Sequence, residues 1–123
     1  MAKKRILVVE DEAELVKAMQ VRLGASGYDV LVAYDGREGL DVASKEKPDL
    51  IVLDLLLPKM DGYKVCGLLK KDARYAKIPI VILTAKAQEE DRKLSEELGA
   101  EAYITKPFDY QMILSKIKEL IGE

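Results

Sequence analysis

Five short apolar runs alternate along the chain with five longer segments in which apolar residues recur at the spacing of a helix. Alternating strand and helix patterns favour a parallel sheet with helices packed on both of its faces. The runs at 50–53 and 80–83 contain no polar residue, so these two strands are predicted to be buried on both sides. The chain is therefore predicted to adopt an α/β fold. The predicted strands are residues 5–9, 30–34, 50–53, 80–83 and 102–105.

Residue types that begin and end helices bracket several of the helical segments. Asp11 precedes the first helix and Asp109 the last, and aspartate is a favoured N-cap residue. Gly27 and Gly99 follow the first and fourth helices, where a left-handed backbone often ends a helix. A length of 123 residues suits one domain with a real core. The predicted helices are residues 12–26, 37–45, 62–71, 88–98 and 110–121.

Polar residues end four of the predicted strands or directly follow them. They are Glu10, Asp11, Asp54, Thr84 and Lys106. Right-handed crossovers place the carboxyl ends of parallel strands at one edge of the sheet, where such sheets bind their ligands. Each residue alone has an ordinary explanation, such as an N-cap for Asp11 or a solvated charge for Lys106. Because a buried acid is costly unless it is compensated, the combination predicts a binding site.

The three acids and the lysine suggest a magnesium site that handles phosphoryl groups. Mg²⁺ prefers oxygen ligands and usually binds through one or two carboxylates. Asp11 and Asp54 are therefore the predicted ligands, with Glu10 acting directly or through water. The Asp54 carboxylate can also attack a phosphoryl donor and form an aspartyl phosphate. Lys106 and the Thr84 hydroxyl can then stabilise the phosphoryl oxygens, which is a main requirement of phosphoryl transfer.

The composition excludes several other function classes. The chain has no His, which removes acid–base catalysis, metal binding and phosphate carriage by that residue. Its 20 basic and 22 acidic residues are interspersed, so we expect no direct binding of nucleic acid. No apolar run is long enough to span a bilayer, and the apolar run after the basic start at 1–5 is too short for a signal peptide. A single Cys rules out an internal disulfide, and we expect a cytoplasmic protein without membrane contact.

Four motifs resemble the receiver domain of two-component response regulators, and together they span nearly the whole chain. They are ILVVEDE at 6–12, VLDL at 52–55 with Pro58 and MDG at 60–62, VILTA at 81–85, and YITKPF at 103–108. The resemblance implies a flavodoxin-like fold, which is a doubly wound, five-stranded parallel sheet of order 2-1-3-4-5 with five helices. It also implies a single receiver domain over residues 1–123.

The resemblance assigns roles to the acids of the predicted edge. Asp54 would be the phosphoacceptor, and Glu10 and Asp11 would be the acidic pair of the family. Asp11, Asp54 and the backbone carbonyl of Leu56 would bind Mg²⁺, which Mn²⁺ can replace. A histidine kinase or a histidine phosphotransfer protein would supply the phosphoryl group. The chain would then be a regulatory phosphoacceptor in a phosphorelay and not an enzyme with a separate substrate.

The resemblance also implies how the signal leaves the site. Lys106 would contact the phosphoryl group, Thr84 would move to hydrogen-bond it, and Tyr103 would swing inward when Thr84 moves. The peptide bond between Lys106 and Pro107 would be cis. The face formed by the fourth helix, fifth strand and fifth helix would then regulate a downstream protein partner or an output domain.

One flank of the first helix is more apolar than core packing requires. Leu15, Ala18 and Arg22 lie beside the core stripe of that helix. This flank resembles the surface of receiver domains on which the kinase or phosphotransfer protein docks. The alternative is that Leu15 merely lies at the edge of the core. Ala102 occupies a place where receivers of winged-helix DNA-binding regulators often carry an acid, which puts the salt-bridged dimer of that subclass in doubt.

Three other functions fit parts of the pattern. A hydrolase of the haloacid-dehalogenase type would need a second acid two residues after its nucleophile, where this chain has Leu56. A flavodoxin-like cofactor protein would present hydroxyl and amide groups to a phosphate, whereas Glu10, Asp11 and Glu12 would repel one. A receiver-like scaffold that never accepts phosphate stays open, although the complete set of site residues argues against it.

Overall fold

Five parallel strands form one sheet in the computed structural model of the protein, which describes residues 3–123. The strands are β1 (Arg5–Val9), β2 (Asp29–Ala33), β3 (Leu50–Leu53), β4 (Ile80–Thr84) and β5 (Ala102–Thr105). Their order across the sheet is β2-β1-β3-β4-β5 and every pair is parallel, which confirms the predicted topology. Met1 and Ala2, which belong to the basic start of the chain, lie outside the described residues.

A helix follows each strand. The helices are α1 (Ala13–Ala25), α2 (Gly36–Glu46), α3 (Gly62–Lys71), α4 (Glu89–Glu97) and α5 (Tyr110–Ile121). Every predicted element is present, and its ends differ from the prediction by at most one residue. Gly27 and Gly99 have the predicted positive φ, at 95° and 104°, and the peptide bond between Lys106 and Pro107 is cis as predicted. Among residues 3–123, no helix is both long enough and apolar enough to cross a membrane.

Aspartate side chains cap three of the helices. Asp35, Asp61 and Asp109 accept hydrogen bonds from backbone N–H groups in the first turns of α2, α3 and α5, at 2.8, 3.0 and 2.8 Å. The N-cap prediction for Asp109 is therefore confirmed. The N-cap prediction for Asp11 is wrong, because α1 starts one residue later and its N-cap is Glu12. The Glu12 side chain makes no capping hydrogen bond, since it forms an ion pair at the carboxyl edge of the sheet instead.

Two hydrophobic cores lie on opposite faces of the sheet, and β3 contributes to both. Ile51 and Leu53 pack in the core under α2 and α3, whereas Leu50 and Val52 pack in the core under α1 and α5. All four side chains are at most 2% exposed, which confirms the predicted burial on both faces. Because a shift of one residue would exchange the side chains between the two cores, this packing holds the register that aligns the strand ends.

Candidate functional site

The carboxyl edge of the sheet holds Glu10, Asp54 and Lys106, each directly after a strand. Backbone hydrogen bonds continue the sheet for one residue beyond the strand ends. The Asp54 N–H donates to the Val9 carbonyl at 3.1 Å, and the Lys106 N–H donates to the Thr84 carbonyl at 2.8 Å. The side chains of the site therefore start from backbone that the sheet holds in place, which positions them better than a free loop would.

The Lys106 ammonium lies among three carboxylates. Its Nζ is 2.8 Å from Glu10 Oε1, 2.9 Å from Glu12 Oε1 and 3.0 Å from Asp54 Oδ2. The side chains of Glu10 and Asp54 are 4% and 5% exposed, whereas that of Glu12 is 64% exposed. A single lysine thus compensates two buried acids, as buried charges require, and also binds a third acid at the surface.

The burial of this cluster shifts the pKa values of two of its members. Burial raises the pKa of Glu10 to about 7; the hydrogen bond from Lys106 opposes the shift, and the negative charge of Asp54 adds to it. Burial lowers the pKa of Lys106, but its hydrogen bonds to the three carboxylates outweigh burial, so this pKa is raised. At neutral pH the lysine is therefore charged, and Glu10 titrates near neutrality in the absence of metal.

The stability of the wild type is expected to fall relative to that of Glu10→Gln as the pH rises from 5 to 8 in metal-free buffer. The pKa of Glu10 in the folded state, about 7, lies above its ordinary value of 4.5, so the folded state binds more protons between these values. The stabilisation that the group contributes below its ordinary pKa is lost as the pH rises through the folded value. We expect a relative loss of roughly 1 to 3 kcal/mol. Urea unfolding of both proteins at several pH values measures it, and equal pH slopes would contradict the assignment.

Glu10, Glu12 and Asp54 form a group that can hold a metal ion. Each offers one carboxylate oxygen, and the three oxygens lie within 4.8 Å of one another. Hard divalent cations such as Mg²⁺ prefer this donor set. Since three acids face one lysine, the group also has negative charge left for a cation to neutralise. The donor chemistry therefore fits the predicted magnesium site.

Asp11, a predicted metal ligand, is exposed and lies outside this group of three. Its role as a ligand stays a prediction. Glu12 was not predicted to belong to the site, although it lies in the same acidic run. In the structure Glu12 is the N-cap of α1, and its side chain reaches Lys106. Which acids of such a run face the site depends on the path of the loop after β1.

The loop after β3 turns sharply around Asp54. The Leu56 N–H donates to Asp54 Oδ1 at 3.0 Å, and the Gly62 N–H donates to the Leu55 carbonyl at 3.0 Å. A Cβ added to Gly62 would lie 2.1 Å from the Asp54 carbonyl oxygen, so α3 begins directly against the backbone of the site. The role of the Leu56 carbonyl as a metal ligand stays a prediction.

Thr84 and Tyr103 both contact the loop after β4. Thr84 is fully buried, and its Oγ1 accepts a long hydrogen bond from the Lys86 N–H at 3.4 Å. The Tyr103 hydroxyl donates to the Lys86 carbonyl at 2.6 Å, and the Arg92 guanidinium lies 4.9 Å from the centre of the Tyr103 ring. A movement of Thr84 would therefore reach Tyr103 through a single residue, Lys86.

A second set of contacts ties the same loop to α3. The Tyr63 hydroxyl donates to the Asp91 carboxylate, and the Lys86 ammonium lies 3.5 Å from that carboxylate and 5.8 Å from the centre of the Tyr63 ring. Burial raises the pKa of Tyr63, and the hydrogen bond to Asp91 adds to the shift. These residues were not predicted, because their proximity depends on how α3 packs beside α4.

The predicted docking residues Leu15, Ala18 and Arg22 line one cavity of about 250 Å³ between α1 and the start of α5. Phe108 and Tyr110 form its other side, and the Arg22 guanidinium lies 5.0 Å from the centre of the Tyr110 ring. Leu15 is half-buried and also packs against the core under α1 and α5. Leu15 therefore lies at the edge of the core and also lines an open groove. This position is compatible with a docking residue and with a residue at the edge of the core.

A family model described as "Response regulator receiver domain" matches residues 6–118. The chain belongs to this family. The match spans the whole site from Glu10 to Lys106, and it confirms the predicted function class, a phosphoaccepting switch of two-component signalling. The individual roles of the residues in this receiver domain stay predictions.

This receiver domain is similar to part of several named regulators and to solved receiver domains. The alkaline phosphatase synthesis transcriptional regulatory protein PhoP of Bacillus subtilis is 49% identical over 120 residues, which are 96% of this chain and 48% of that protein. A CheY-like response regulator receiver domain protein from Methanospirillum hungatei aligns with a TM-score of 0.93 at 31% identity, over 98% of this chain and 95% of that chain. The BeF3-activated N-terminal receiver domain of Klebsiella pneumoniae RstA aligns with a TM-score of 0.89 at 32% identity, over 98% of this chain and all of that chain. The receiver domain spans about half the length of the curated relatives it matches.

Proposed function

We propose that this receiver domain accepts a phosphoryl group on Asp54 in a Mg²⁺-dependent reaction. The observation that supports this most directly is the buried Asp54 carboxylate, whose Oδ2 lies 3.0 Å from Lys106 at the carboxyl edge of the sheet. A histidine kinase or a histidine phosphotransfer protein supplies the phosphoryl group. An Asp54 oxygen forms the new bond to phosphorus while the bond from phosphorus to the donor nitrogen breaks, and the departing imidazole takes up a proton.

The metal ion would bind at the acids of the site. The candidate ligands are the buried acids Glu10 and Asp54, to which the family resemblance adds Asp11 and the Leu56 carbonyl. When bound, Mg²⁺ (or Mn²⁺ in its place) neutralises the carboxylates and the charge of the phosphoryl oxygens. The sheet supplies the preorganisation, because it holds the backbone of Glu10 and Asp54 before any ligand arrives.

Lys106 and Thr84 stabilise the phosphorylated state. Lys106 Nζ already faces the Asp54 carboxylate and is charged at neutral pH, so it can donate to a phosphoryl oxygen attached there. Thr84 ends the neighbouring strand β4 and brings a hydroxyl donor to the same edge. Phosphoryl transfer depends mainly on positioning and on charge stabilisation, so a site without histidine suffices.

Phosphorylation changes the charge at Asp54 and so biases the loop after β4. It replaces one negative charge by about two. The added oxygens attract Thr84, and Lys86, which contacts both Thr84 and Tyr103, passes the displacement on. The signal then leaves through α4, β5 and α5 as a shift between two packings of this surface.

The downstream partner is a protein or an output domain that recognises this surface. Several relatives are named as transcriptional regulators. The interspersed charges of this chain argue against direct nucleic-acid binding by the receiver domain itself. Within this proposal, residues 1–123 form one receiver domain in the cytoplasm that acts as a regulatory phosphoacceptor, without turnover of a separate substrate.

Intact mass spectrometry after incubation with Mg²⁺ and a small acyl phosphate tests this function. The wild type is expected to gain a single phosphoryl adduct, whereas Asp54→Ala and a metal-free sample are expected to gain none. An adduct on Asp54→Ala would contradict the assignment of the phosphoacceptor. Failure of the wild type with both the small donor and a histidine kinase would favour the scaffold that does not accept phosphate.

We propose further that the groove of Leu15, Ala18 and Arg22 docks the phosphoryl donor protein. Leu15→Asp is expected to slow transfer from a histidine kinase by at least about fivefold, because it places a charge in an apolar contact. Phosphorylation by a small acyl phosphate should stay unchanged. Val21→Asp is the matched control, since Val21 lies on α1 and is 65% exposed but does not line the groove. Equal slowing with both donors, or no slowing with the kinase, would contradict the docking role.

A further inference from the structure

We propose that Glu12 holds the place on Lys106 that a phosphoryl oxygen takes after transfer. This inference rests on the proposed function, because it assumes that Asp54 carries the phosphoryl group. Glu12 would then be a positioning residue that acts through Lys106. It keeps the ammonium oriented toward the site in the resting protein and gives up its hydrogen bond when the phosphoryl group arrives.

The hydrogen bonds of Lys106 limit how many acceptors it can bind at once. A lysine ammonium has three N–H donors. In the resting protein, Lys106 Nζ has three carboxylate partners, Glu10 at 2.8 Å, Glu12 at 2.9 Å and Asp54 at 3.0 Å. All of its donors are therefore in use, and a phosphoryl oxygen can accept a hydrogen bond from Lys106 only if one of these partners leaves.

Burial decides which partner leaves. Glu10 is buried, and its second oxygen accepts a hydrogen bond from the Glu12 N–H at 3.2 Å. Asp54 is also buried, and its Oδ1 accepts from the Leu56 N–H at 3.0 Å. When Oδ1 bonds to phosphorus, Oδ2 stays beside Lys106 as the carbonyl oxygen of the acyl phosphate and still accepts its hydrogen bond. The Glu12 side chain is 64% exposed, and within residues 3–123 its carboxylate has no partner besides Lys106. An exposed carboxylate returns to water at little cost, whereas a buried one cannot.

The charge balance favours the same exchange. The phosphoryl group brings about two negative charges to Asp54, next to the point where the Glu12 carboxylate meets Lys106. Repulsion between the two anions weakens the hydrogen bond between Lys106 and Glu12. All three donors of Lys106 stay in use, because a phosphoryl oxygen replaces the carboxylate oxygen of Glu12. The resting contact of Glu12 therefore opposes phosphorylation to a small extent.

Binding of beryllofluoride, a phosphoryl mimic that attaches to carboxylates, tests this exchange in saturating Mg²⁺. Glu12→Ala is expected to bind beryllofluoride about twofold to fivefold more tightly than the wild type, since no contact with Lys106 has to be broken. Glu14→Ala is the matched control, because Glu14 is also an exposed acid, in the first turn of α1, but does not contact Lys106 in residues 3–123. Its affinity should equal that of the wild type.

Titration with Mg²⁺ alone measures the metal affinity of each variant. This second measurement distinguishes the proposed role of Glu12 from a merely structural one. The affinity of Glu12→Ala for Mg²⁺ should stay within about twofold of the wild type while its affinity for beryllofluoride rises. A loss of Mg²⁺ affinity of about tenfold would overturn the proposal and make Glu12 a metal ligand. Unchanged or weaker binding of beryllofluoride by Glu12→Ala would overturn it as well, with the proposed function intact. A wild type that binds no beryllofluoride, or an Asp54→Ala protein that still binds it, would overturn the proposed function together with this inference.

Discussion

Lys106→Met is expected to lower the free energy of unfolding by about 3 to 5 kcal/mol at neutral pH in metal-free buffer. Methionine keeps an unbranched apolar side chain but removes the charge. Asp54, which is 4% exposed, is then left buried without its counter-charge, and Glu10, which is 3% exposed, loses the partner that favours its ionised form. Urea unfolding followed by circular dichroism measures the difference from the wild type.

Two comparisons separate this effect from the general loss of a lysine. Lys17→Met removes an exposed lysine of α1 and is expected to change the free energy of unfolding by less than about 0.5 kcal/mol. Adding Asp54→Asn to Lys106→Met is expected to restore part of the loss, because the uncompensated charge of Asp54 disappears. A Lys106→Met protein as stable as Lys17→Met would contradict the role of Lys106 as the counter-charge of the buried acids.

Gly62→Ala is expected to lower the free energy of unfolding by about 3 kcal/mol and to slow phosphorylation of Asp54. The new Cβ would lie 2.1 Å from the Asp54 carbonyl oxygen and 2.7 Å from the Leu55 Cα. Both atoms belong to the backbone, so no side-chain rotation relieves the overlap. Either α3 moves away from β3 or the backbone of Asp54 shifts, and the second change displaces the proposed phosphoacceptor from Lys106.

Gly24→Ala is the matched control for this substitution. Gly24 lies in α1, and a Cβ added there meets no atom within 4 Å. Because alanine favours a helix more than glycine does, Gly24→Ala is expected to raise the free energy of unfolding by about 0.5 to 1 kcal/mol. Urea unfolding and the rate of adduct formation with a small acyl phosphate measure both variants. A Gly62→Ala protein with the stability and rate of the wild type would contradict the close approach of α3 to Asp54.

The strands and helices were predictable to within one residue because each one has a local pattern. Residues 50–53 are all apolar, and the structure buries them in two cores. Apart from α4, which contains a single apolar residue, the helices repeat their apolar residues at helical spacing, and Asp109 marks the start of α5 by capping it. The order of the strands in the sheet was not predicted from a local pattern. It was taken from the resemblance to the receiver family, and the structure confirmed it.

The proximity of the site residues in space was also predictable, although they are far apart in the chain. Asp54 and Lys106 are separated by 52 residues, and their side chains meet at 3.0 Å. A rule of parallel sheets predicts this, because right-handed connections bring the carboxyl ends of all strands to one edge. The rule places backbone positions, and it does not state which side chain of a loop turns inward.

The loop after β1 shows where one prediction failed. Asp11 was expected to cap α1, but Glu12 occupies the N-cap position and binds Lys106, whereas the role of Asp11 as a metal ligand stays a prediction. Both residues are acids in one short run, so no local pattern distinguishes them. The choice depends on the direction in which the loop leaves β1 and on the position of Lys106 after β5.

The sequence by itself determined the α/β architecture, the bounds of its elements and the edge at which Glu10, Asp54, Thr84 and Lys106 meet. These properties follow from periodicity and from the handedness of connections, which are local or universal. Only the tertiary structure decided that Lys106 has all of its donors engaged, that Glu12 is one of its partners, and that Lys86 joins Thr84 to Tyr103. Such contacts depend on loop paths and side-chain directions, and these are set by the packing of the whole domain, which no single stretch of sequence encodes.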